Sequence, residues 1–382
     1  MDHTRRDFLA SASQAVVWGV ASTALLDCAG SPDARRRPAD IGSPRAGRKP
    51  IRPPEGQVLF IAGQGGAQLG GRPADGLGDG YLDHMRAPGG FTLYCSVASE
   101  PNLDDLTRVS GVPALKDSVL HLSVGWVADF DLSTKDNNRL ITTGAFDENI
   151  NRLATWCAAQ PRPILMRIGY EFDRGVPFPA YHYDPAYFAQ AFGRIVNRLR
   201  AARADNVSSV LASTNAPSMS PALTTEAFNR FYPGDDYVDW LGCSMWHPAD
   251  VDHVILHEAR KRGKPVLLAE TTPVKFNIGK GSCYPYYLGI SQKLGAQAIW
   301  DSWHQPMIDF IAANRDVIGG WHYIAADWSA DPTWNWVPFF SNCDARPWAN
   351  AQFLDIWNKH MNSAQFLQAS ATLLRDLGYS RP

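Results

Sequence analysis

Short apolar runs recur along the chain and stop abruptly at glycine, proline or polar clusters, the pattern of strands buried on both faces. They stand at residues 58–62, 91–95, 119–124, 163–168, 207–211, 237–246, 266–269 and 318–324. Between them, apolar residues repeat at helical spacing over 103–109, 146–157, 251–261, 290–294, 307–313, 349–361 and 364–377. A longer helix is predicted from Asp184 and Pro185 to about Ala204, with the aspartate as N-cap and the proline in the first turn. Strand signals alternating with helix signals predict one α/β domain built on a parallel sheet, and eight of them favour a closed (β/α)8 TIM barrel. A doubly wound open sheet is the runner-up.

Two of the runs end on a carboxylate. The fourth leads into Arg167-Ile-Gly-Tyr170-Glu171-Phe-Asp173, and the seventh runs straight into Glu270, followed by Thr271, Thr272 and Pro273. In a barrel the chemistry belongs at the carboxyl ends of the strands. Gln64, Trp126, Asn215, Trp246 and Trp328 stand at such ends as well. Paired carboxyl groups among aromatics suit glycoside transfer, in which one group stays protonated for the leaving oxygen while the other is ionised. A lone strand-end glutamate is ordinarily a salt-bridged loop residue; two at matched ends point to catalysis.

The flanking residues have competing readings. By strand alternation Arg167 faces the same side as Glu171, so it either holds a catalytic carboxylate ionised or pairs with a structural acid. Tyr170 and Asp173 bound the sugar site, with a loop cap as the alternative for Asp173. Trp246 and Trp328 are expected to stack on sugar faces, Trp334 and Trp336 to pack a long loop, and Trp240 to lie in the core. His247 and His322 are placed to donate to sugar hydroxyls. His253 and His257 stand four apart on a helix outside the barrel, so no metal and no cofactor is expected. Ser213 and Ser244 lack a G-x-S-x-G elbow, and the glycines after residue 62 lack the spacing of a phosphate loop.

The strand-four RIGYEFD, the strand-seven PVLLAE, PGDDYVDWLGCS (233–244) and HYIAADW (322–328) together resemble clan A glycoside hydrolases. The resemblance is strongest to family 26, whose members include β-mannanases and β-1,3-xylanases, and it runs from residue 58 to the end. It implies a retaining, double-displacement enzyme with Glu171 as acid/base and Glu270 as nucleophile. The substrate implied is a β-linked poly- or oligosaccharide, β-mannan-like or β-xylan-like. Characterised mannanases of the family usually carry histidine before the acid/base, where this chain has Tyr170; that departure bears on mannan as substrate. The alternatives are transglycosylation by the same residues and a non-catalytic glycan-binding barrel of a surface or polysaccharide-export system.

Composition narrows the partners. A formal net charge of −2 over 382 residues argues against nucleic acid, and a monomer is expected. Residues 1–29 resemble a twin-arginine export signal, with Arg5-Arg6 before Phe8-Leu9 and an apolar stretch at 15–26 too short to span a membrane. Cys28 follows Leu25-Leu26-Asp27, near a lipoprotein box, but the aspartate is atypical there, which makes lipid anchoring the lesser reading. Residues 30–55, rich in Pro, Arg, Gly and Ser, form a flexible basic linker, leaving 56–382 as the catalytic barrel. A periplasmic or extracellular location follows, and it permits a disulfide between the loop residues Cys283 and Cys343. Cys95, Cys157 and Cys243 are expected as buried free thiols.

Overall fold

The computed structural model describes residues 50–71, 80–127, 132–173, 183–214, 223–247, 253–284, 290–332, 334–337 and 340–380. The apolar runs form strands β1 Val58–Ala62, β2 Gly90–Ser96, β3 Val119–Gly125, β4 Ile164–Ile168, β5 Val207–Ser213, β6 Trp240–Met245, β7 Val266–Thr271 and β8 Ile318–Tyr323. Each pairs in parallel with the next, and β8 returns to pair with β1, so the sheet closes. This is the (β/α)8 barrel expected from the alternation of strand and helix signals, not the doubly wound sheet.

The longer helices are α1 Leu103–Ser110, α2 Asp147–Ala158, α3 Pro185–Ala201, α4 Thr225–Phe231, α5 His253–Arg262, α6 Gln305–Ala313 and α7 Ala351–Met361. Helix α3 starts where its sequence says it should. The Asp184 side chain accepts from the Ala186 amide at 2.9 Å, and Pro185 occupies the first turn. Its buried face carries Phe188, Ala191, Phe192, Ile195, Val196 and Leu199, spaced to lie along the barrel wall.

Two segments depart from their helical pattern. Residues 290–294 supply the short strand Gln292–Lys293, which joins Ser282–Cys283 and Phe276–Asn277 in a three-stranded antiparallel sheet. A five-residue periodic stretch is too short to nucleate a helix against strand pairing. Within 364–377 only Leu373–Asp376 is α-helical; Phe366–Leu367 pairs with β1 instead. Tertiary pairing overrides periodicity there.

Strand alternation divides the core. Leu59, Ile61, Val119, Leu165, Val210, Ala212, Trp240, Leu267 and Ala269 fill the lower barrel interior. Their neighbours Phe60, Leu120, Leu122, Met166, Ile168, Leu241 and Leu268 face outward into the layer shared with the helices. Ile51, Leu373, Leu374 and Leu377 join the interior cluster and close its amino-terminal end. The Trp240 indole donates to the Ile51 carbonyl at 3.1 Å, and the Arg52 amide to Leu377 O at 3.1 Å. Part of the stretch that composition assigns to the linker is therefore docked on the barrel, because Ile51 has an apolar site to fill. Residues 1–49, which hold the signal-like segment and most of the linker, lie outside the described residues. No helix among the described residues is long and apolar enough to cross a membrane.

Toward the carboxyl ends the interior turns polar. Thr92 and Tyr94 on β2, His121 and Ser123 on β3, Arg167 on β4, Ser244 on β6 and His322 on β8 replace the aliphatic residues below them. A barrel interior lined this way concentrates polar groups under its mouth.

Candidate active site

Glu270 reaches the interior through a break in regular pairing. On β7, Leu267 and Ala269 point inward, so strict alternation would send Glu270 outward. Pairing with β6 skips from Cys243–Leu268 to Ser244–Glu270, and pairing with β8 skips from Trp321–Leu268 to Tyr323–Thr271. One extra residue, Ala269, is thus accommodated in β7. Such a bulge re-aims the side chain that follows it. Arg167 Nη2 donates to Glu270 Oε1 as a buried ion pair, and Tyr94 Oη donates to the same oxygen at 2.9 Å. Burial alone would raise the Glu270 pKa, but the charge and hydrogen bond of Arg167, with His322 and Tyr94, hold it below the ordinary glutamate value. The group is built to be an anion.

Glu171 is delivered differently. Strand β4 ends at Ile168, and a tight turn follows in which Gly169 has φ 58° and Glu171 itself φ 54°. A left-handed glutamate is uncommon and costs energy, and such strain concentrates at functional sites. The turn is pinned by the Gly169 amide on Val124 O at 2.8 Å and by the Phe172 amide on Ala212 O at 3.2 Å. The Ser244 hydroxyl donates to Glu171 Oε1 at 2.6 Å. Glu171 is almost fully buried, and its charge acts on Arg167 as Glu270 does. Strand alternation from Arg167 does not extend to Glu171, and the carboxylate that Arg167 pairs with is Glu270.

Around this pair the structure gathers some of the expected sugar-binding residues and removes others. The Tyr170 ring lies 4.7 Å from the Arg167 guanidinium and meets the Tyr94 ring edge-on at 5.9 Å. Trp246, 8% exposed, follows β6 with its indole N–H lacking a partner among the described residues, and His247 beside it is half-buried. Asn215 lies outside the described residues.

Three expectations are corrected. Trp126 has no exposed surface: its indole donates to Asn138 at 3.2 Å and its ring packs on Tyr183 and Phe188, because the side chain turns outward from β3 into the helix layer. Trp328, 1% exposed, stacks on Phe340 at 4.4 Å and donates to Thr272 Oγ1. It packs the loop, as Trp334 beside it does, whereas Trp336 is 38% exposed. His322 is fully buried, with Nδ1 2.5 Å from Ala269 O and Nε2 2.5 Å from Gly63 O, so its ring nitrogens are taken up by the backbone around the strand carrying Glu270 and are not left for a sugar hydroxyl. Trp240 is core, as expected.

The cysteines also separate from expectation. Cys283 and Cys343 are both free thiols, with Cys343 Sγ 3.5 Å from the Pro273 carbonyl. Cys157 and Cys243 are buried thiols as expected, and Cys95 is half-buried.

Sequence reasoning missed Tyr94 and undervalued Ser244, while Asp173 takes its loop-cap alternative, accepting from the Thr214 amide at 2.7 Å and the Ser213 hydroxyl at 2.8 Å. The signal for Tyr94 was present in GFTLYCS, where Thr92 and Tyr94 alternate with Phe91 and Leu93. Ser244 was weighed only as a nucleophile, while its hydroxyl serves the carboxylate of Glu171.

No family model matches the chain. In sequence it is similar to a β-1,3-xylanase of Vibrio sp., 26% identical over 323 residues that cover 81% of this chain and 67% of the relative. It is similar also to a β-1,3-xylanase of Alcaligenes sp., 25% identical over 322 residues covering 81% and 66%. The chain thus spans about two thirds of the length of these curated relatives. In fold it is similar to a family 26 β-mannanase of Bacteroides ovatus, with a TM-score of 0.58 at 16% identity over 83% of this chain and 92% of that one. An endo-β-1,4-mannanase of Cellulomonas fimi, a double mutant, gives 0.55 at 16% identity over 84% and 74%. The structural likeness establishes the barrel. With the sequence relatives it bears out the expectation of a glycoside hydrolase, of the clan A kind and like family 26.

Proposed function

We propose that this chain is a retaining glycoside hydrolase that cleaves a β-linked polysaccharide or oligosaccharide by double displacement, with Glu270 as nucleophile and Glu171 as acid/base. The observation that carries the proposal is the buried Glu270 anion, held by Arg167 and Tyr94 with its pKa below the ordinary range. A nucleophilic carboxylate must be ionised while its partner keeps a proton. Glu171, set on a strained turn and bonded by Ser244, is the second carboxyl group acting on Arg167. It would protonate the departing sugar oxygen and then take a proton from the water that releases the glycosyl enzyme, by microscopic reversibility.

The rest of the arrangement fits a sugar at this mouth. Tyr170 and Trp246 offer aromatic surface, and Gln64 and His247 offer polar groups for hydroxyls. A xylan-type substrate, β-1,3-xylan first, is favoured by the relatives' activity and by Tyr170 at the position before the acid/base. Export through the signal-like residues 1–29 would bring the enzyme to such a polymer.

The test is a hydrolysis screen on β-1,3-xylan, β-mannan, β-glucans and their oligosaccharides, with Glu171→Gln and Glu270→Gln beside the parent. Release of product from one polymer, abolished in both variants, supports the assignment. Glycan binding without product, unchanged by either substitution, overturns it.

A further inference from the structure

A bulge that aims a side chain also loosens the strand that carries it. Where Ala269 is inserted, the ladder of β7 is interrupted on both sides, immediately before Glu270. An attacking carboxylate tolerates little slack, since misplacement by about 1 Å can cost roughly a hundredfold in rate. Arg167 and Tyr94 hold the carboxylate itself. The main chain behind it needs its own support.

We propose that His322 is the positioning residue that fixes this bulge: its Nδ1–H bonds the Ala269 carbonyl, so that Glu270 is aimed from β8. The inference rests on the reading of Glu270 as nucleophile. Pairing of β7 with β8 runs from Trp321–Leu268 to Tyr323–Thr271, so His322 alone stands opposite both Ala269 and Glu270. Side-chain bonds straddle the glutamate there. Before it, His322 Nδ1 lies 2.5 Å from Ala269 O. After it, the Thr271 hydroxyl donates to His322 O at 2.7 Å and accepts from the Trp321 indole at 2.8 Å. The residues on either side of Glu270 are thus tied to the same residue of β8.

A carbonyl oxygen only accepts, so the bond to Ala269 requires a proton on Nδ1. The other nitrogen has two neighbours of different kinds. Nε2 lies 2.5 Å from Gly63 O, to which it can only donate, and 3.0 Å from Thr92 Oγ1, from which it can accept. Protonated at both nitrogens, the ring serves both carbonyls. With a single proton, Nδ1 is the better place for it, because the Thr92 hydroxyl can then donate to the bare Nε2.

Thr92 extends the support around the barrel. Its Oγ1 is also 3.0 Å from His121 Nδ1, so a chain of bonds runs from β3 through β2 and β8 to Ala269 on β7. The His121 ring meets the His322 ring edge-on, with centroids 5.3 Å apart, and both residues are fully buried. Held on its edge and at both nitrogens, the His322 ring keeps Nδ1 on the Ala269 carbonyl.

Asparagine and glutamine divide the two ring nitrogens between them, since the Asn amide nitrogen comes near the place of Nδ1 and that of Gln near Nε2. His322→Asn therefore keeps a donor for Ala269 O, and His322→Gln keeps one for Gly63 O instead. On β-1,3-xylo-oligosaccharides the kcat of His322→Gln should fall roughly tenfold or more with KM close to the parent's, while His322→Asn keeps most of the parent's kcat. Equal losses of kcat in the two variants overturn the proposal, because a merely structural histidine would give that result. Labelling with an activated 2-deoxy-2-fluoro-β-xylobioside separates the inference from the reading beneath it. The parent should be labelled on Glu270, and His322→Gln on the same residue roughly tenfold more slowly. Labelling of both at one rate overturns the role of His322 alone. No label on Glu270 of the parent removes the nucleophile and this inference together. Should either variant not fold, 15N spectra of the histidine-labelled parent decide: a protonated His322 Nδ1 supports the proposal, and a bare one overturns it.

Discussion

Arg167 on β4 and Glu270 on β7 form an ion pair through the interior of the barrel, with the guanidinium wholly shielded from solvent. Pairs of this kind are expensive to desolvate and are most damaging when one member is removed. Here the member on β7 is the proposed nucleophile, and its pairing with Arg167 keeps it ionised against the effect of burial.

Arg167→Met should cost roughly 3–5 kcal/mol of stability, because it strands a buried carboxylate. The folded-state pKa of Glu270 is depressed, so its contribution to stability is present above the ordinary glutamate range and is lost as pH falls through the lowered value. In the variant that acid dependence should shrink, and the acid limb of kcat/KM should move to higher pH as Glu270 takes up a proton. Denaturation and activity measured across pH check both.

Tyr94→Phe removes one donor from Glu270 and leaves the ring against Tyr170. Stability should change by about 1 kcal/mol, while kcat falls by roughly tenfold or more and KM moves less. Steady-state kinetics separate the two parameters.

Gly169→Ala tests the turn that presents Glu171. At φ 58° a side chain is strained, and the new Cβ would meet Trp126 Cη2 at 2.5 Å and Phe188 Cε2 at 2.6 Å. The expected penalty is roughly 2–4 kcal/mol, together with a fall in kcat as Glu171 is displaced. Urea unfolding and kinetics on one preparation report both.

Trp126→Ala distinguishes packing from sugar contact. Buried in the helix layer, Trp126 should lose roughly 3–5 kcal/mol on truncation, and the surviving folded enzyme should keep its KM. A raised KM at unchanged stability would instead return this residue to the sugar site.

These residues also mark how far the sequence was legible. Apolar runs located every barrel strand, because a strand buried on both faces has to be apolar along most of its length. They located Glu171 and Glu270 for the same reason, as charges that interrupt such runs. Direction was harder. The Ala269 bulge that turns Glu270 inward has no residue signature, and the turn after Ile168 is marked only by Gly169. Trp126 and Trp328 stand at strand ends exactly as a platform would, yet which face an aromatic takes is decided by packing partners far away in sequence, such as Tyr183 and Phe340. His322 was misplaced for a related reason: strand position alone does not tell whether ring nitrogens stay open to a ligand or are taken by backbone carbonyls such as Gly63 O.

The central claim is tested most directly by trapping the glycosyl enzyme. Incubation with an activated 2-deoxy-2-fluoro-β-glycoside of the preferred sugar, followed by peptide mass spectrometry, should place a single covalent label on Glu270. A label on a different carboxylate, or hydrolysis with inversion and no label at all, would contradict the double-displacement account.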